Sequence, residues 1–452
     1  MRFSQPAYDT PSQISFGFAK APLRYGLGLS VGDGKVVPEV KYMLKPGFEK
    51  SIDSLVGEYR SVTLSVMERA VNQMMLDVQL ETEFTEPIVM NQGWSESVAR
   101  AQKDIMSRYH REHGVRTALR ATVADVRRFN EGLREGGHFD RTMNSVEEAV
   151  RGGADLLSIE SRGGQEVFSH ALIRNDLSGV LFAVGILAPR DVRFLWRAII
   201  ERSSGAIPAG DTACALANSA MVLAGGLAGR KISHVLSAVI RAMCAARTLA
   251  CYEEGARGPG KDCAYENAII KAVTGYPISM EGKTSAVAHS SLVGNVAAAA
   301  CDLWSNETIV ADELFGGKST AVIFEMLGYD TALMNEAIRA GSQSGLRQLY
   351  VASDAHRDPQ ALILSPENAV RIARAMVPEK TDYDRAVAAG LEALKIMDEH
   401  KVELQLPAAE LRYIEQTKHL LAGAPDETRL TEDSTKRFIQ KVPEFRPSSY
   451  GL

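Results

Sequence analysis

Two of the five cysteines in this 452-residue chain stand apart by their surroundings. Cys214 lies in AGDTACALAN (209–218) and Cys263 in GPGKDCAYEN (258–267), each in a polar, glycine-bearing turn just ahead of a segment that reads as helix. In GADLLSIES (153–161) a hydrophobic strand pattern ends on Glu160. Two sulfurs and a carboxylate oxygen are ligand types zinc prefers, and three protein ligands leave one tetrahedral position open, as catalytic zinc requires. Each residue also has a plain structural reading: cysteine as a small core hydrophobe, glutamate as an ion-pair partner at a strand end. The C-x-x-C spacing of a structural zinc site is absent. The metal reading gains from all three residues falling at strand ends of what would be a single face. Cys244, Cys251 and Cys301 sit in alanine-rich or apolar runs and read as core.

Other site chemistries fare worse. His110 and His113, in RYHREHG before Gly114, belong at a helix C-terminus, where the dipole favours positive charge. His289 is isolated in AVAHSS, and no H-E-x-x-H occurs. EGKTS (281–285) looks like the end of a P-loop, but Pro277 stands where that motif needs its first glycine. The glycines of YGLGLSVGDGKVVPEV (25–40) lead into an extended piece containing Pro38, where a dinucleotide loop would lead into a helix.

The elements that must position Glu160, Cys214 and Cys263 form a regular alternation. Eight short β-rich runs are predicted: 76–84, 115–123, 153–161, 179–187, 205–212, 247–255, 276–283 and 309–317. Helical patterns lie between them. The clearest is 190–203, where Val192, Leu195, Trp196, Ile199 and Ile200 define one apolar face. This predicts a (β/α)8 TIM-type barrel, with a doubly wound open sheet as the alternative, since short apolar runs do not separate strand from buried helix. Glu81, Glu83, Glu160, Asp211, Glu253, Glu281, Asp312 and Glu313 all fall toward the C-terminal ends of their runs, and in a barrel those ends share the face that carries the active site. The expected division is an N-terminal extension of turns and helix (1–75), the barrel (76–340) and a helical region packed on it (341–452). Residues 382–400 and 407–423 read as surface helices that cover the barrel or bind a partner, and FRPSSYGL is expected to dock against the body.

Composition narrows the setting. Hydrophobic residues make up 45% and charged residues 24%, an ordinary balance for a soluble domain. A net charge of -5 without any long basic run excludes the phosphate-neutralising stripe of a nucleic-acid binder. The odd, sparse cysteines suit a reducing compartment. The opening MRFSQPAYDT has no secretory pattern, and the longest apolar stretch, 215–229, is too short and interrupted to span a bilayer. The expected location is cytoplasmic.

GADLLSIES, GGQEVF, AGDTACALAN, GPGKDCAYEN, MEGKTSAVAHS and RDPQA (357–361) together resemble the zinc subunit of methanol:corrinoid methyltransferases, over nearly the whole chain. The resemblance implies a (β/α)8 barrel with helical additions and Zn(II) held by Glu160, Cys214 and Cys263. It also implies transfer of the methyl group of methanol to the Co(I) corrinoid (cobamide) of a separate corrinoid-binding protein, by a homo-oligomer within a hetero-complex. The chemistry is coherent: hydroxide leaves poorly, so the methanol oxygen needs an electrophilic ion, and a strong nucleophile must take the methyl group. Glu81, Asp211 and Glu281 are candidate proton donors or partners behind the ligands. LREGGHFDR (133–141) departs from the family pattern, which leaves another small methyl donor as an alternative. Two further alternatives are a zinc enzyme that activates a thiol as methyl acceptor and a docking subunit without metal.

Overall fold

The computed structural model describes residues 2–225, 231–310 and 313–452. An antiparallel hairpin of β1 (Phe18–Tyr25) and β2 (Leu29–Asp33) comes first. The barrel strands follow: β3 (Val37–Met43), β4 (Asp77–Phe84), β5 (Arg116–Val123), β6 (Leu156–Ile159), β7 (Ile207–Asp211), β8 (Ser279–Glu281) and β9 (Leu303–Ser305). They pair in parallel in the order β7-β6-β5-β4-β3-β9-β8. The gap between β7 and β8 is filled by the irregular segment 257–262. Arg257 N donates to Pro208 O (2.8 Å) on one side, and Ser279 N and Glu281 N donate to Gly260 O (3.2 Å) and Asp262 O (2.9 Å) on the other. Eight staves therefore close the ring. The last one lacks strand regularity because Gly258, Pro259 and Gly260 disfavour it and proline has no N–H to give.

Five of the eight predicted runs are barrel strands, β4 to β8, and three are not. Residues 179–187 are helical, the end of Leu177–Phe182 continuing into a π-turn at Ala183–Leu187, and Val180 to Leu187 are all buried. Residues 247–255 are mostly the last turns of helix His234–Glu254, so Glu253 sits on that helix in ion pairs with Arg193 and Arg385. In 309–317, Ile309–Val310 pairs with the end of β3, while Glu313–Leu314 and Gly317–Lys318 form a small hairpin; Asp312 lies outside the described residues. Full burial on all sides removes the periodicity that separates strand from helix. The missing staves are β3, 257–262 and β9. β3 was obscured by Pro38, Glu39 and Lys41, and β9 is three residues long. The barrel thus begins at Val37, inside the stretch expected to be an extension.

Inside the barrel, alternate residues stack in layers. At the N-terminal end, Val37, Ala118, Leu156, Ala209 and Leu303 pack against Tyr25, Leu29 and Val31 of the hairpin, which plugs that end. Above them the layer turns polar: Arg120 reaches Glu39 (2.8 Å) and Ser158 (2.9 Å), and Tyr25 donates to Gln79 (2.6 Å). The next layer, toward the C-terminal mouth, holds Lys41, Glu81 and Thr122.

Outside, helix His234–Glu254 is long and apolar enough to cross a membrane by length and composition, yet its most apolar window is wholly buried. Asp382–Glu399 lies on it. This second helix is a buried packing element along Tyr383, Ala386, Ala389, Gly390, Ala393 and Leu394, not the surface helix its charges suggested. At Gly390 a Cβ would come within 2.8 Å of Leu421 and 3.1 Å of Met243, so close helix approach requires glycine there. Ala408–Ala422 is the more exposed of the two, burying Ile414, Thr417 and Leu421.

One enclosed ion pair ties the N-terminal segment to the barrel wall. Lys271 Nζ donates to both oxygens of Asp302 (2.9 and 2.8 Å), to Ala300 O (2.8 Å) and to Ser15 O (3.1 Å), with both side chains fully buried. Lys271→Met strands the Asp302 carboxylate and is expected to cost about 3–5 kcal/mol, read as a lower urea midpoint. Adding Asp302→Leu should recover most of the loss, because the penalty comes from the unpaired charge.

Candidate metal centre at the barrel mouth

Three consecutive staves deliver the three candidate ligands. Glu160 follows β6 directly, Cys214 opens the π-turn Cys214–Asn218 after β7, and Cys263 follows the irregular stave 257–262. Their donor atoms all lie within 4.8 Å of one another. Cys214 Sγ is 2.6 Å from Cys263 Sγ with both cysteines free, and Cys263 Sγ is 3.3 Å from Glu160 Oε1. Cys263 is enclosed, at 3% exposure, whereas the Glu160 side chain is 35% exposed and faces a cavity of about 440 Å³. Cys214, Ser219, Gln165 and Thr122 also line that cavity.

Burial pushes the Cys214 thiol up, and burial with the adjoining Cys214 sulfur pushes Cys263 further. Two such thiols beside a carboxylate would give up their protons to solvent most readily when a cation binds between them, since its charge reverses the local electrostatics. The donor set therefore fits a thiolate-preferring divalent metal. The sulfurs have partners in place. Thr212 Oγ1 is 3.4 Å from Cys214 Sγ, and Asn218 Nδ2 donates to the same sulfur at 3.1 Å. Arg241 donates to Asn218 Oδ1 and, at 2.6 Å, to Glu266, which fixes the amide with its NH2 toward sulfur.

Beneath the ligands lies a buried charge network. Lys261 contacts Glu81 (2.5 Å), Asp262 (2.5 Å) and Glu160 (3.5 Å); Lys41 contacts Glu281 (2.7 Å), Glu83 (3.2 Å) and Asp262 (3.5 Å). Burial would raise Asp262, but Lys261 and Lys41 hold it well below the usual carboxylate range. Burial, with the charge of Asp262, lifts Glu81 to about 8, and burial lifts Glu281 well above its ordinary value. Each of these two glutamates keeps one enclosed oxygen, Oε2, without a hydrogen-bond partner. Glu281 lies within 4.8 Å of Cys263 Sγ, while Glu81 reaches the ligands through Lys261.

Asp211 differs. It accepts from Ser161 N (3.1 Å), Thr212 N (2.7 Å), Trp196 Nε1 (2.9 Å) and Arg247 (2.9 Å), and so clamps the loops after β6 and β7. With its oxygens engaged by four donors, it holds the backbone of both loops in place. Sequence reasoning passed over Lys261 and Asp262, although a Lys-Asp pair directly before Cys263 is the signal that could have marked them. Lys41 and Asn218 gave none; the first was hidden in the unrecognised β3, the second in an apolar run.

Behind the Glu160 loop, burial raises the Glu166 carboxyl from its ordinary 4.5 to about 7, with Oε2 enclosed and unpartnered. The native state therefore keeps a proton that the unfolded chain releases, so stability falls as pH rises from about 4.5 to 7 and levels off above. Glu166→Gln is expected to remove that slope, worth up to about 3 kcal/mol at about 1.4 kcal/mol per unit. Urea midpoints of both proteins across this range provide the check, and parallel pH profiles would contradict it.

A closed parallel barrel with its reactive side chains at the C-terminal mouth is the architecture of TIM-barrel enzymes. Residues 1–451 match the family described as methanol-cobalamin methyltransferase B subunit, and the chain belongs to that family, which makes it a methyltransferase. It is 40% identical to the methanol–corrinoid protein co-methyltransferase of Methanosarcina barkeri (strain Fusaro / DSM 804) over 457 residues, spanning all of this chain and 99% of that one. The crystal structure of the methanol:cobalamin methyltransferase complex MtaBC from Methanosarcina barkeri superposes with a TM-score of 0.96 at 40% identity, covering both chains fully.

Proposed function

We propose that this chain transfers the methyl group of methanol to the Co(I) corrinoid of a partner corrinoid protein, using Zn(II) held by Glu160, Cys214 and Cys263. The observation that carries the metal assignment is the convergence of two thiols and one carboxylate within 4.8 Å beside an open cavity. Bound there, Zn(II) supplies Lewis acidity toward the methanol oxygen. Family membership along the whole chain supports the donor and the corrinoid acceptor; the complex is placed in the cytoplasm as part of this reading.

The chain's own residues would work as follows. Glu160, the most exposed ligand, borders the cavity through which the donor arrives. Asn218 and Thr212 hold Cys214 Sγ in place, and Asp211 holds the loops that carry Glu160 and Cys214. Glu81 and Glu281 are the proton-holding groups beside the ligands, their open oxygens being Oε2 in each case. Lys41 and Lys261 keep the surrounding carboxylates from repelling one another. The open mouth leaves room for a corrinoid presented by another protein.

Mixing the purified chain with methanol and chemically reduced Co(I) cobalamin, or a corrinoid protein, should produce methyl-Co(III), visible by absorbance, at a rate that a chelator abolishes and zinc restores. Cys263→Ser is expected to lose most of its zinc and to slow methylation by more than the roughly 10–100-fold typical of losing a residue behind a ligand. Stoichiometric zinc retained by that variant would remove Cys263 from the site. Persistent Co(I) with zinc bound would show the donor or carrier to be wrong.

A further inference from the structure

Glu160 sits on the least regular support of the three candidate ligands. After β6 the chain runs through Ser161, Arg162, Gly163 and Gly164 without regular structure before helix Gln165–Leu172 begins. Such a loop holds a side chain in place only if its backbone is fixed from outside. Ser161 N is bound by Asp211 (3.1 Å), and Arg247 donates to the Ser161 hydroxyl. Arg162 N donates to Asp125 (3.0 Å). Gly163 presses against Asp191, where a Cβ would come within 2.3 Å of the carboxylate. Asp125 and Asp191 are themselves joined by Arg127, which donates to both oxygens of each at 2.8 Å.

The remaining freedom is at Gly164, whose φ of +84° lets the chain turn into the helix. There the partner comes from outside the barrel. Gly164 N donates to the Tyr450 hydroxyl (2.9 Å), and that hydroxyl donates to Glu166 Oε1 (2.6 Å). Both roles of the hydroxyl are used, so its direction is set. Tyr450 is 1% exposed and lies in the terminal FRPSSYGL segment. That segment is anchored along its length: Phe445 packs on Phe182 and on Tyr450, Ser449 Oγ accepts from Leu133 N (3.3 Å), and Gly451 O accepts from Arg190 (3.5 Å).

We propose that Tyr450 is a positioning residue for Glu160, its hydroxyl closing the clamp on the loop that presents this ligand to the metal. The proposal rests on Glu160 being a zinc ligand, as argued above. Removing the hydroxyl leaves the buried Gly164 N–H without a partner and the loop free to shift at its hinge, while the two cysteines, on other staves, stay where they are.

The test compares zinc affinity, by competition with a chromophoric chelator, for the wild-type chain, Tyr450→Phe and Ser449→Ala, together with absorption spectra of the Co(II)-substituted forms. Tyr450→Phe is expected to weaken zinc binding about tenfold. Its Co(II) form should keep the sulfur-to-cobalt charge-transfer bands and change the d–d bands, the signature of a displaced oxygen ligand. Ser449→Ala cuts the segment's bond to Leu133 but not the one to Gly164, and should leave the affinity unchanged. Should Tyr450→Phe not fold, Glu166→Ala, which withdraws the acceptor that aims the hydroxyl, carries the same expectation. Wild-type affinity and spectra in Tyr450→Phe, or equal losses in Ser449→Ala, overturn this proposal alone. A wild-type chain that binds no zinc sinks the metal reading and this proposal with it.

Discussion

Enclosed charge at the barrel mouth is the constraint from which the rest of the structure follows. Glu39, Glu81, Asp262 and Glu281 are buried within the same ring of staves. An isolated carboxylate there would lose its hydration without return. The barrel meets this with Arg120, Lys41 and Lys261, each wedged between at least two acids. These cations come from β5, β3 and the irregular stave, so the ring must close for the charges to balance. Folding and site assembly are in this sense a single event.

The same network explains how a cluster of sulfur and carboxylate can stay both dry and usable. The cysteines are fixed by buried elements and by hydrogen bonds to sulfur, while Glu160 reaches toward solvent from a loop clamped by groups on several elements. One side of the cluster is rigid core and the other borders the cavity. Helices His234–Glu254 and Asp382–Glu399 belong to the rigid side; Arg241 and Arg247 project from the first toward Asn218 and Asp211. Their alanine-rich contact is thus linked to the orientation of the groups around the sulfurs.

How much of this was legible in the sequence depended on local context. Glu160 and Cys214 drew notice because each follows a recognised strand in a turn too polar to be plain core, and Cys263 because of its polar, glycine-bearing turn alone, since the stave before it was missed. The (β/α)8 architecture was readable from five clear strands, even though three others were misassigned. Residues 179–187 and 247–255 are as apolar as strands but fold as buried helix, since packing on every side erases the alternation that would tell them apart. β3 was missed for the opposite reason: its inward face carries Glu39 and Lys41, polar residues whose partners lie far along the chain. The two roles read for Asp211, proton donor or partner behind the ligands, could not be told apart in the sequence, because a carboxylate that donates protons and one that binds backbone N–H groups look identical until their neighbours are known.

The hairpin of β1 and β2 that seals the N-terminal end has a consequence for traffic. With Tyr25, Leu29 and Val31 filling that end, the described residues leave the barrel interior approachable from the C-terminal mouth, where Glu160 borders the cavity. A small molecule coming through that cavity passes Glu160, and anything released into it passes Glu160 again. A bulky partner resting on the rim would occupy the doorway. Arrival of the small reactant, seating of the large one and departure of the leaving group then become a queue, ordered by the shape of the container as much as by the affinity of any site.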